Sequence, residues 1–548
     1  MQNASQAKFG VNYWPAYAGP RMWRDFRPQE IALDLAALRE VGVEYVRAFL
    51  FWPDFMPTRE RVEPEMLDRL EIFLDLCEEA GLKVHLSFLV GHMSGENWSP
   101  AWLSDSTRLY SDPELLDIQA LYLREVTARV GTHPAIAAYV LSNEMPIYAG
   151  VGDYVSVGGW AEKLYGVLAE LEPRHPVSLG DGAWYCLGDE TGFSPDHAQD
   201  VLGPHLYLTG THPETQLAAY GLSVGTASAL SNGREVWLEE FGAPQSVFGE
   251  EEIAGFARDV VTEARLQGAT HICWWCGLDF ELTRDLPYEH HGFELRFGLL
   301  SSDRTPKMVA RALQGAVSAP LPQLPEAGLL VPSYFPERYP FSWDDRDLVK
   351  KALLNSYAAL RRLGYAPRII PEKQFLAGMP VSEKPLPELL FVPSTQKLLA
   401  PTWTALTRHS GRVVYSYFHG SLGVHQGAWV HDPRAFFGGK PRNRYGLPEQ
   451  APTQLIAGFQ SWDLPASANP VATTPLLLDP EEAQVIGLDE FGRPMWVRVG
   501  NRDLLLYPLE ALASGPEMIE PIYRAVLENI AVHPLRTAPQ QRPFVGDD

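Results

Sequence analysis

The chain has 548 residues, enough at about 150 residues per domain for two to four domains. With 46% hydrophobic and 21% charged residues it is neither a disordered chain nor a collagen-like one. Its 45 basic and 68 acidic residues leave a net charge of -23, which repels phosphate backbones and anionic lipid, so neither nucleic acid nor a membrane is expected as a partner.

No apolar run approaches the roughly 18 residues that a membrane-spanning helix needs. Residues 1–8 lack a basic stretch followed by an apolar one, so no secretory signal is read and a cytoplasmic location is expected. Four cysteines are too few for a disulfide framework. The 15 Trp and 22 Tyr are more informative, because several stand beside turn residues, where an exposed ring suits a sugar face.

From the N-terminus, strand-like and helix-like segments alternate. Residues 9–13 read as a strand, followed by a helix with Ile31, Leu35 and Leu38 on one face and Gly42 as its stop. Residues 43–49 are the next strand. Leu67, Leu70, Leu74, Cys77 and Gly81 repeat the helix-then-glycine pattern before the third strand at 84–89. Further strands are expected at 136–141, 176–179, 201–207, 236–240 and 271–275. Eight strands at a spacing of roughly 37 residues fit eight βα units, hence a (β/α)8 TIM barrel over residues 1–318. A doubly wound open sheet is the rival, weakened by the lack of a Gly-x-Gly-x-x-Gly turn after the first strand.

Residues 319–326 form a proline-rich linker. A second α/β domain, of flavodoxin or amidotransferase-like type, is expected over 327–535. Its buried parallel strands are read at 328–332, 389–393 and 413–416, and a hairpin turns at Gly500-Asn501. Residues from about 420 to 470 are read as an irregular insertion, and 536–548 as a flexible tail.

A barrel does its chemistry where strands end, at the C-terminal face. The fourth strand ends in Asn143-Glu144-Met145-Pro146 and the seventh in Glu239-Glu240-Phe241-Gly242. Two carboxylates on facing strands are what glycosidic cleavage requires. One protonates the leaving oxygen, and the other attacks the anomeric carbon or holds a water. Desolvation and like charge raise one pKa, while an Arg and hydrogen bonds lower the other.

On these motifs the sequence resembles clan A of the glycoside hydrolases over roughly residues 8–315. The resemblance implies that Glu144 is the general acid/base and Glu240 the nucleophile. Glu239 is set aside, since strand alternation turns it away from Glu240 and the resemblance aligns the Glu directly before Phe-Gly. It also implies Arg47 beside the nucleophile, Asn143 on the sugar 2-hydroxyl, and Trp275 as a sugar platform with Asp279 four residues on. His205-Leu206-Tyr207 resembles the His-x-Tyr pair of family 5, whose Tyr orients the nucleophile. Arg47 and Tyr207 are expected to lower the Glu240 pKa. His92, in Gly91-His-Met-Ser-Gly95, is a candidate for sugar hydroxyls. Met145 departs from the Asn-Glu-Pro common in family 5.

The stretches Phe9-Gly-Val-Asn-Tyr-Trp14-Pro15 and Trp98-Ser-Pro-Ala-Trp102 also look like family 42 β-galactosidases, and they make Trp14 and Trp98 candidate substrate contacts. That family carries an amidotransferase-like domain after its barrel, often involved in trimerisation. All four cysteines precede residue 327, so the second domain lacks the thiol that an amidotransferase needs and is read as structural or oligomeric. A homo-oligomer is expected, with a trimer as the first expectation.

Cys273-Trp-Trp-Cys276 lies on the eighth strand, where the two side chains point apart, and is not read as a redox or metal pair. Glu289, His290 and His291 are read as solvated loop residues. No metal and no organic cofactor is implied. The expected function is a retaining β-glycoside hydrolase acting on a β-linked oligosaccharide. The opening stretch, Gly91–Gly95 and the His-x-Tyr pair look like mannan-processing relatives, so a β-mannosidase or exo-acting β-mannanase is favoured. A family 42 β-galactosidase, a non-catalytic carbohydrate-binding barrel and a transglycosylase are the alternatives.

Overall fold

The structure is a computed structural model that describes residues 6–207, 213–335, 346–378, 385–395, 398–418, 434–442, 450–467 and 473–528. The chain divides into two compact units, the first built mainly from residues 1–211 and 219–322.

Eight parallel strands close the first unit into a barrel. They are β1 (Lys8–Tyr13), β2 (Tyr45–Phe51), β3 (Lys83–Val90), β4 (Ile136–Ser142), β5 (Val177–Ser178), β6 (in two pieces, Val201–Leu202 and His205–Leu206), β7 (Glu235–Phe241) and β8 (His271–Trp274). β8 pairs with both β7 and β1, which closes the sheet and removes its edges. The strands are near-continuous apolar runs, as expected of a parallel sheet buried on both faces. Helices α1 (Pro28–Glu40), α2 (Pro64–Glu79), α3 (Pro113–Val130), α4 (Tyr154–Leu171), α5 (Pro213–Leu230), α6 (Glu250–Leu266) and α7 (Met308–Ser318) follow their strands. The axial stop signals hold, with Gly42 and Gly81 in left-handed backbone just past α1 and α2.

The fifth repeat departs from the expected βα unit. Only a short 3₁₀ turn, Trp184–Leu187, lies between β5 and β6. Gly180, Gly182, Gly188 and Gly192 all take positive φ there, a run of turns that leaves no room for a helix. At Gly180 a side chain is impossible, since a Cβ would lie 2.1 Å from the Ser142 carbonyl oxygen. That close approach joins the ends of β4 and β5.

Period-two alternation fills the barrel in layers. Tyr45, His85, Trp237 and His271 form the lower layer. Tyr45 stacks on His85 at 4.1 Å between centroids, His85 on Trp237 at 4.7 Å, and Trp237 meets His271 at 4.4 Å. Gly10 completes it, because a Cβ there would lie 2.2 Å from the Tyr45 ring. Two residues further along each strand come Asn12, Arg47, Ser87, Glu239 and Cys273. The polar layer therefore rests on an aromatic plug.

The second unit is built around a nine-stranded mixed sheet. Its strands are β9 (Glu326–Val331), β10 (Ala366–Pro371), β11 (Leu389–Thr395), β12 (Arg412–Tyr417), β13 (Gln454–Ala457), β14 (Gln460–Asp463), β15 (Gln484–Leu488), β16 (Pro494–Val499) and β17 (Arg502–Leu505). The order is β10-β9-β11-β12-β17-β16-β15-β13-β14, parallel from β10 to β17 and antiparallel beyond. Glu326 already belongs to β9, so the linker ends one residue before the expected boundary. The hairpin at Gly500-Asn501 is present as β16 and β17.

The segment expected to be an irregular insertion is more regular than its composition implied. Its described part holds β13, β14 and the strand Gly439–Arg442, which pairs with Leu477–Pro480. Four-residue strands between glycines and prolines are too short to show a period. The expected tail at 536–548 lies outside the described residues.

Candidate active site

The polar layer of the barrel leads directly to the ends of β4 and β7. Glu144 follows β4 in a left-handed backbone (φ 49°, ψ 51°), with its N–H donating to the Gly180 carbonyl at 2.7 Å. This costs a non-glycine residue about 1–3 kcal/mol. Glu240 lies near the end of β7, where the register against β8 shifts between Leu238 and Phe241. Such an irregularity re-aims side chains. Here Glu239 and Glu240 both reach the same imidazole.

That imidazole is His205. Its Nδ1 lies 3.0 Å from Glu144 Oε1 and 3.6 Å from Glu240 Oε2, and its Nε2 lies 3.2 Å from Glu239 Oε2. A carboxylate oxygen of Glu144, one of Glu240 and a ring nitrogen of His205 all lie within 4.8 Å of one another. The two carboxylates thus share one small space.

Arg47 anchors the nucleophile side. Its Nη1 pairs with Glu240 Oε2 at 3.0 Å and donates to Asn12 Oδ1 at 3.2 Å. Its Nη2 donates to Asn143 Oδ1 at 3.0 Å, and its Nε donates to Ser87 Oγ at 3.0 Å. Tyr207 donates its hydroxyl to Glu240 Oε1 at 2.5 Å. On the other side, His92 Nε2 lies 3.5 Å from Glu144 Oε2, and His92 Nδ1 meets Asn97 Oδ1 at 2.6 Å. Asn143 donates to the His92 carbonyl at 3.0 Å.

The electrostatics run opposite to the expectation at both carboxyls, the nucleophile candidate being raised and the acid candidate lowered. Burial raises the Glu240 carboxyl and the Glu144 charge adds to that. His205, Arg47 and Tyr207 pull it down without reversing the direction, so its pKa is raised overall. Burial also raises Glu144, but the hydrogen bond and charge of His205, with His92 and Arg47 behind, outweigh it and its pKa is lowered. Burial opposes charge on His205, yet the Glu240 charge and hydrogen bonds to Glu144 and Glu239 push its pKa from 6.5 up to about 10. Three carboxylates therefore surround two cations, and the pair of glutamates titrates as a unit.

The sign of the His205 shift fixes a pH dependence. A raised folded-state pKa stabilises the fold fully below pH 6.5, and that stabilisation is lost as pH rises through about 10. The melting temperature is expected to fall between those limits, and His205→Asn to flatten the fall. Equal slopes for the two proteins in differential scanning calorimetry would contradict this.

Most of the predicted residues converge, with Arg47 beside Glu240 as expected. His205 and Arg47 have side chains 0% and 1% exposed, so they hold carboxylates rather than touch a substrate. Trp14 is fully buried, stacked on Phe49 at 5.4 Å, and donates Nε1 to Met93 Sδ at 3.3 Å. A small hairpin, His92–Met93 with Glu96–Asn97, covers it, and an enclosed indole cannot serve as a substrate contact. Trp98 packs edge-on against Phe51 at 5.6 Å and stays half-buried. Trp275 stands edge-on to Phe49 and donates Nε1 to Glu294 Oε2 at 3.0 Å. Asp279 serves the scaffold, paired with Lys307 at 2.6 Å and accepting from the Gly298 N–H.

Sequence reasoning set Glu239 aside and passed over Glu294. For Glu239 the signal was the alternation itself, because Trp237 and Glu239 point to the same interior face. Glu294 comes from the loop after β8. Its Oε2 accepts from both Trp275 Nε1 and Ser94 Oγ, the latter at 3.3 Å. Burial, with the Glu240 and Glu144 charges, raises its carboxyl to about 7 against the pull of the Trp275 and Ser94 hydrogen bonds. The same loop reaches the hairpin twice more. His290 Nδ1 lies 2.9 Å from Glu96 Oε1, and a Cβ on Gly95 would lie 3.0 Å from His291 Nε2. Since β8, β1, β2 and β3 are neighbours in that order, these contacts strap the barrel mouth above β1 and β2.

Glu144, His205 and Glu240 have the atom types to ligate a cation, but an imidazole held protonated is a poor metal ligand. Asp75, Glu78 and His133 form a second cluster with the atom types for a metal, on the surface.

No family model matches the chain. It is 28% identical over 194 residues to the probable mannan endo-1,4-β-mannosidase F of Aspergillus flavus, covering 32% of this chain and 42% of that protein. It is 24% identical over 166 residues to mannan endo-1,4-β-mannosidase F of Aspergillus fumigatus, covering 27% and 36% respectively. The chain thus spans less than half the length of these curated relatives. Among solved structures, an exo-β-1,4-mannosidase from Opitutaceae bacterium strain TAV5 superposes with a TM-score of 0.76 at 22% identity, covering 95% of this chain and 94% of that one. GH5_18 from Streptomyces cattleya, in complex with GlcNAc, gives 0.61 at 26% identity, covering 68% and 95%. A β-galactosidase from the psychrophilic Marinomonas ef1 gives 0.64 at 15% identity, covering 97% and 92%. With the closed eight-strand barrel, these likenesses support a clan A glycoside hydrolase.

Proposed function

We propose that this clan A barrel is an exo-acting, retaining β-mannosidase. The reading rests on the convergence of Glu144 and Glu240, whose carboxylate oxygens come within 4.8 Å of each other. Retaining enzymes keep their carboxyl groups about 5–5.5 Å apart, and inverting ones about 6.5–9.5 Å apart to admit a water.

In the first step Glu240 forms a bond to the anomeric carbon as the glycosidic bond breaks, and Glu144 gives its proton to the departing oxygen. In the second step Glu144 takes a proton from water, whose oxygen bonds to the anomeric carbon and releases Glu240. Arg47 and Tyr207 hold the attacking carboxylate from two sides. Glu144 must start protonated, and the resting electrostatics favour the proton elsewhere. The protonated His205, with Nδ1 3.0 Å from Glu144 Oε1, is the proton donor nearest that carboxylate.

The contacts between the β3 and β8 loops, Ser94 to Glu294 and Glu96 to His290, are the feature that favours exo action, because loops tied across one side of a barrel mouth obstruct a long chain lying through it. The mannosidase choice draws on the named relatives and on the exo-β-1,4-mannosidase structure, which matches over nearly the full chain. A β-galactosidase fits less well. Those structures cover as much of the chain, but at 14–15% identity.

A panel of nitrophenyl β-glycosides tests this. Hydrolysis of the mannoside, with the β-anomer of mannose seen first by proton NMR, is expected. Cleavage of the galactoside alone would overturn the sugar, and the α-anomer first would overturn retention. Binding of mannose oligomers without cleavage would favour a carbohydrate-binding barrel. For the second domain we propose a role in self-association, a homotrimer being the first state to test by analytical ultracentrifugation. The cytoplasmic location is likewise a proposal.

A further inference from the structure

Double displacement uses two carboxylates and Glu239 is held on His205, yet a fourth, Glu294, lies near enough for the Glu240 and Glu144 charges to act on it. Its charge acts on Glu240, Glu144 and the Tyr207 hydroxyl, and a carboxylate beside two others is electrostatically unfavourable unless something compensates it. It is not consumed by the scaffold. Both of its hydrogen bonds, from Trp275 Nε1 and Ser94 Oγ, end on Oε2, which leaves Oε1 without a protein partner among the described residues. The position is set by three things at once: the strap through Ser94, the indole edge of Trp275, and the loop after β8. Asn143, Glu144 and Glu240 take the anomeric end of a bound sugar. The strap side is where the remote end of the ring must lie.

We propose that Glu294 is a specificity residue, whose free carboxylate oxygen accepts a hydrogen bond from a 3-, 4- or 6-hydroxyl of the non-reducing-end sugar. This rests on the reading of the site as an exo-acting glycosidase and names what selects the sugar within it. A terminal sugar with free hydroxyls satisfies Oε1. A sugar substituted there meets the strap and leaves the oxygen desolvated and unpaired. The chemical class is thus an unsubstituted terminal hexoside.

The test compares wild type, Glu294→Ala and Glu294→Gln on p-nitrophenyl β-mannoside and its 3-, 4- and 6-deoxy analogues. Glu294→Ala is expected to lower kcat/KM on the parent by about 10- to 100-fold, the loss of a hydrogen bond to a charged group. On the one analogue lacking the contacted hydroxyl the same substitution should cost at most about threefold, since the bond is already gone. Glu294→Gln, whose amide oxygen can keep the Trp275 contact while its NH2 donates to the sugar hydroxyl in place of the lost acceptor, should recover part of the loss and serves alone if the alanine variant does not fold. A loss undiminished on all three analogues, or a change within twofold on the parent, would overturn the role of Glu294 while leaving the glycosidase reading intact. A wild type inactive on every glycoside would overturn that reading instead.

Discussion

Glycine in place of Glu240 is expected to lower kcat on an aryl β-mannoside by about 10^4-fold or more, the scale on which removal of an enzyme nucleophile acts. Glu240 is the group that forms the glycosyl ester. Its loss leaves an anion-sized gap between the Arg47 guanidinium, now without its partner at 3.0 Å, and the Tyr207 hydroxyl. Azide fits such a gap by charge and size. Added azide should restore turnover by a single displacement, giving the α-mannosyl azide identifiable by NMR. The variant should stay folded, because three carboxylates around His205 and Arg47 become two against two cations. More than about 1% residual activity without azide, or rescue to the β-azide, would contradict the assignment.

Alanine in place of Glu144 is expected to act according to the leaving group. A glycoside whose oxygen must be protonated should lose about 10²–10⁴-fold in kcat/KM, the usual contribution of a positioned general acid. A dinitrophenyl mannoside, whose leaving group departs as a stable anion, should keep most of its kcat/KM. Its deglycosylation should slow for want of a base, so a burst of phenolate should appear in stopped-flow traces. Azide should then attack the glycosyl-enzyme and give the β-mannosyl azide, the opposite anomer from the Glu240 variant. Equal losses for both leaving groups would show that Glu144 does not handle the proton.

The barrel was legible in the sequence because each strand is a buried apolar run bounded by a helix period and a glycine, as in Leu67, Leu70, Leu74, Cys77 and Gly81. The ends of β4 and β7 were legible for the same reason, since strand counting places Glu144 and Glu240 at one face. The fifth strand was placed at 176–179 and is found at Val177–Ser178, but the absence of a helix after it was not legible, because glycine turns carry no period. Trp14 was misjudged because a residue beside a turn looks exposed until a hairpin from 79 positions further on covers it. His205 was legible only as half of a His-x-Tyr pair, and the fold shows it enclosed by Glu144, Glu239 and Glu240. Glu239 stood on the interior face that alternation from Trp237 marks; what the sequence did not show is the β7 irregularity, which brings Glu240 to the same ring. Glu294 carried no motif at all; what marks it is the convergence of two loops 200 positions apart.

The central claim, that Glu240 becomes bonded to the sugar, is tested most directly by trapping. Wild-type protein treated with 2-deoxy-2-fluoro-β-mannosyl fluoride, which forms the ester quickly and loses it slowly, should gain one fluorosugar mass. Peptide fragmentation should place it on Glu240. Label on Glu144, Glu239 or Glu294, or turnover of the probe with no label on any carboxylate, would contradict the account.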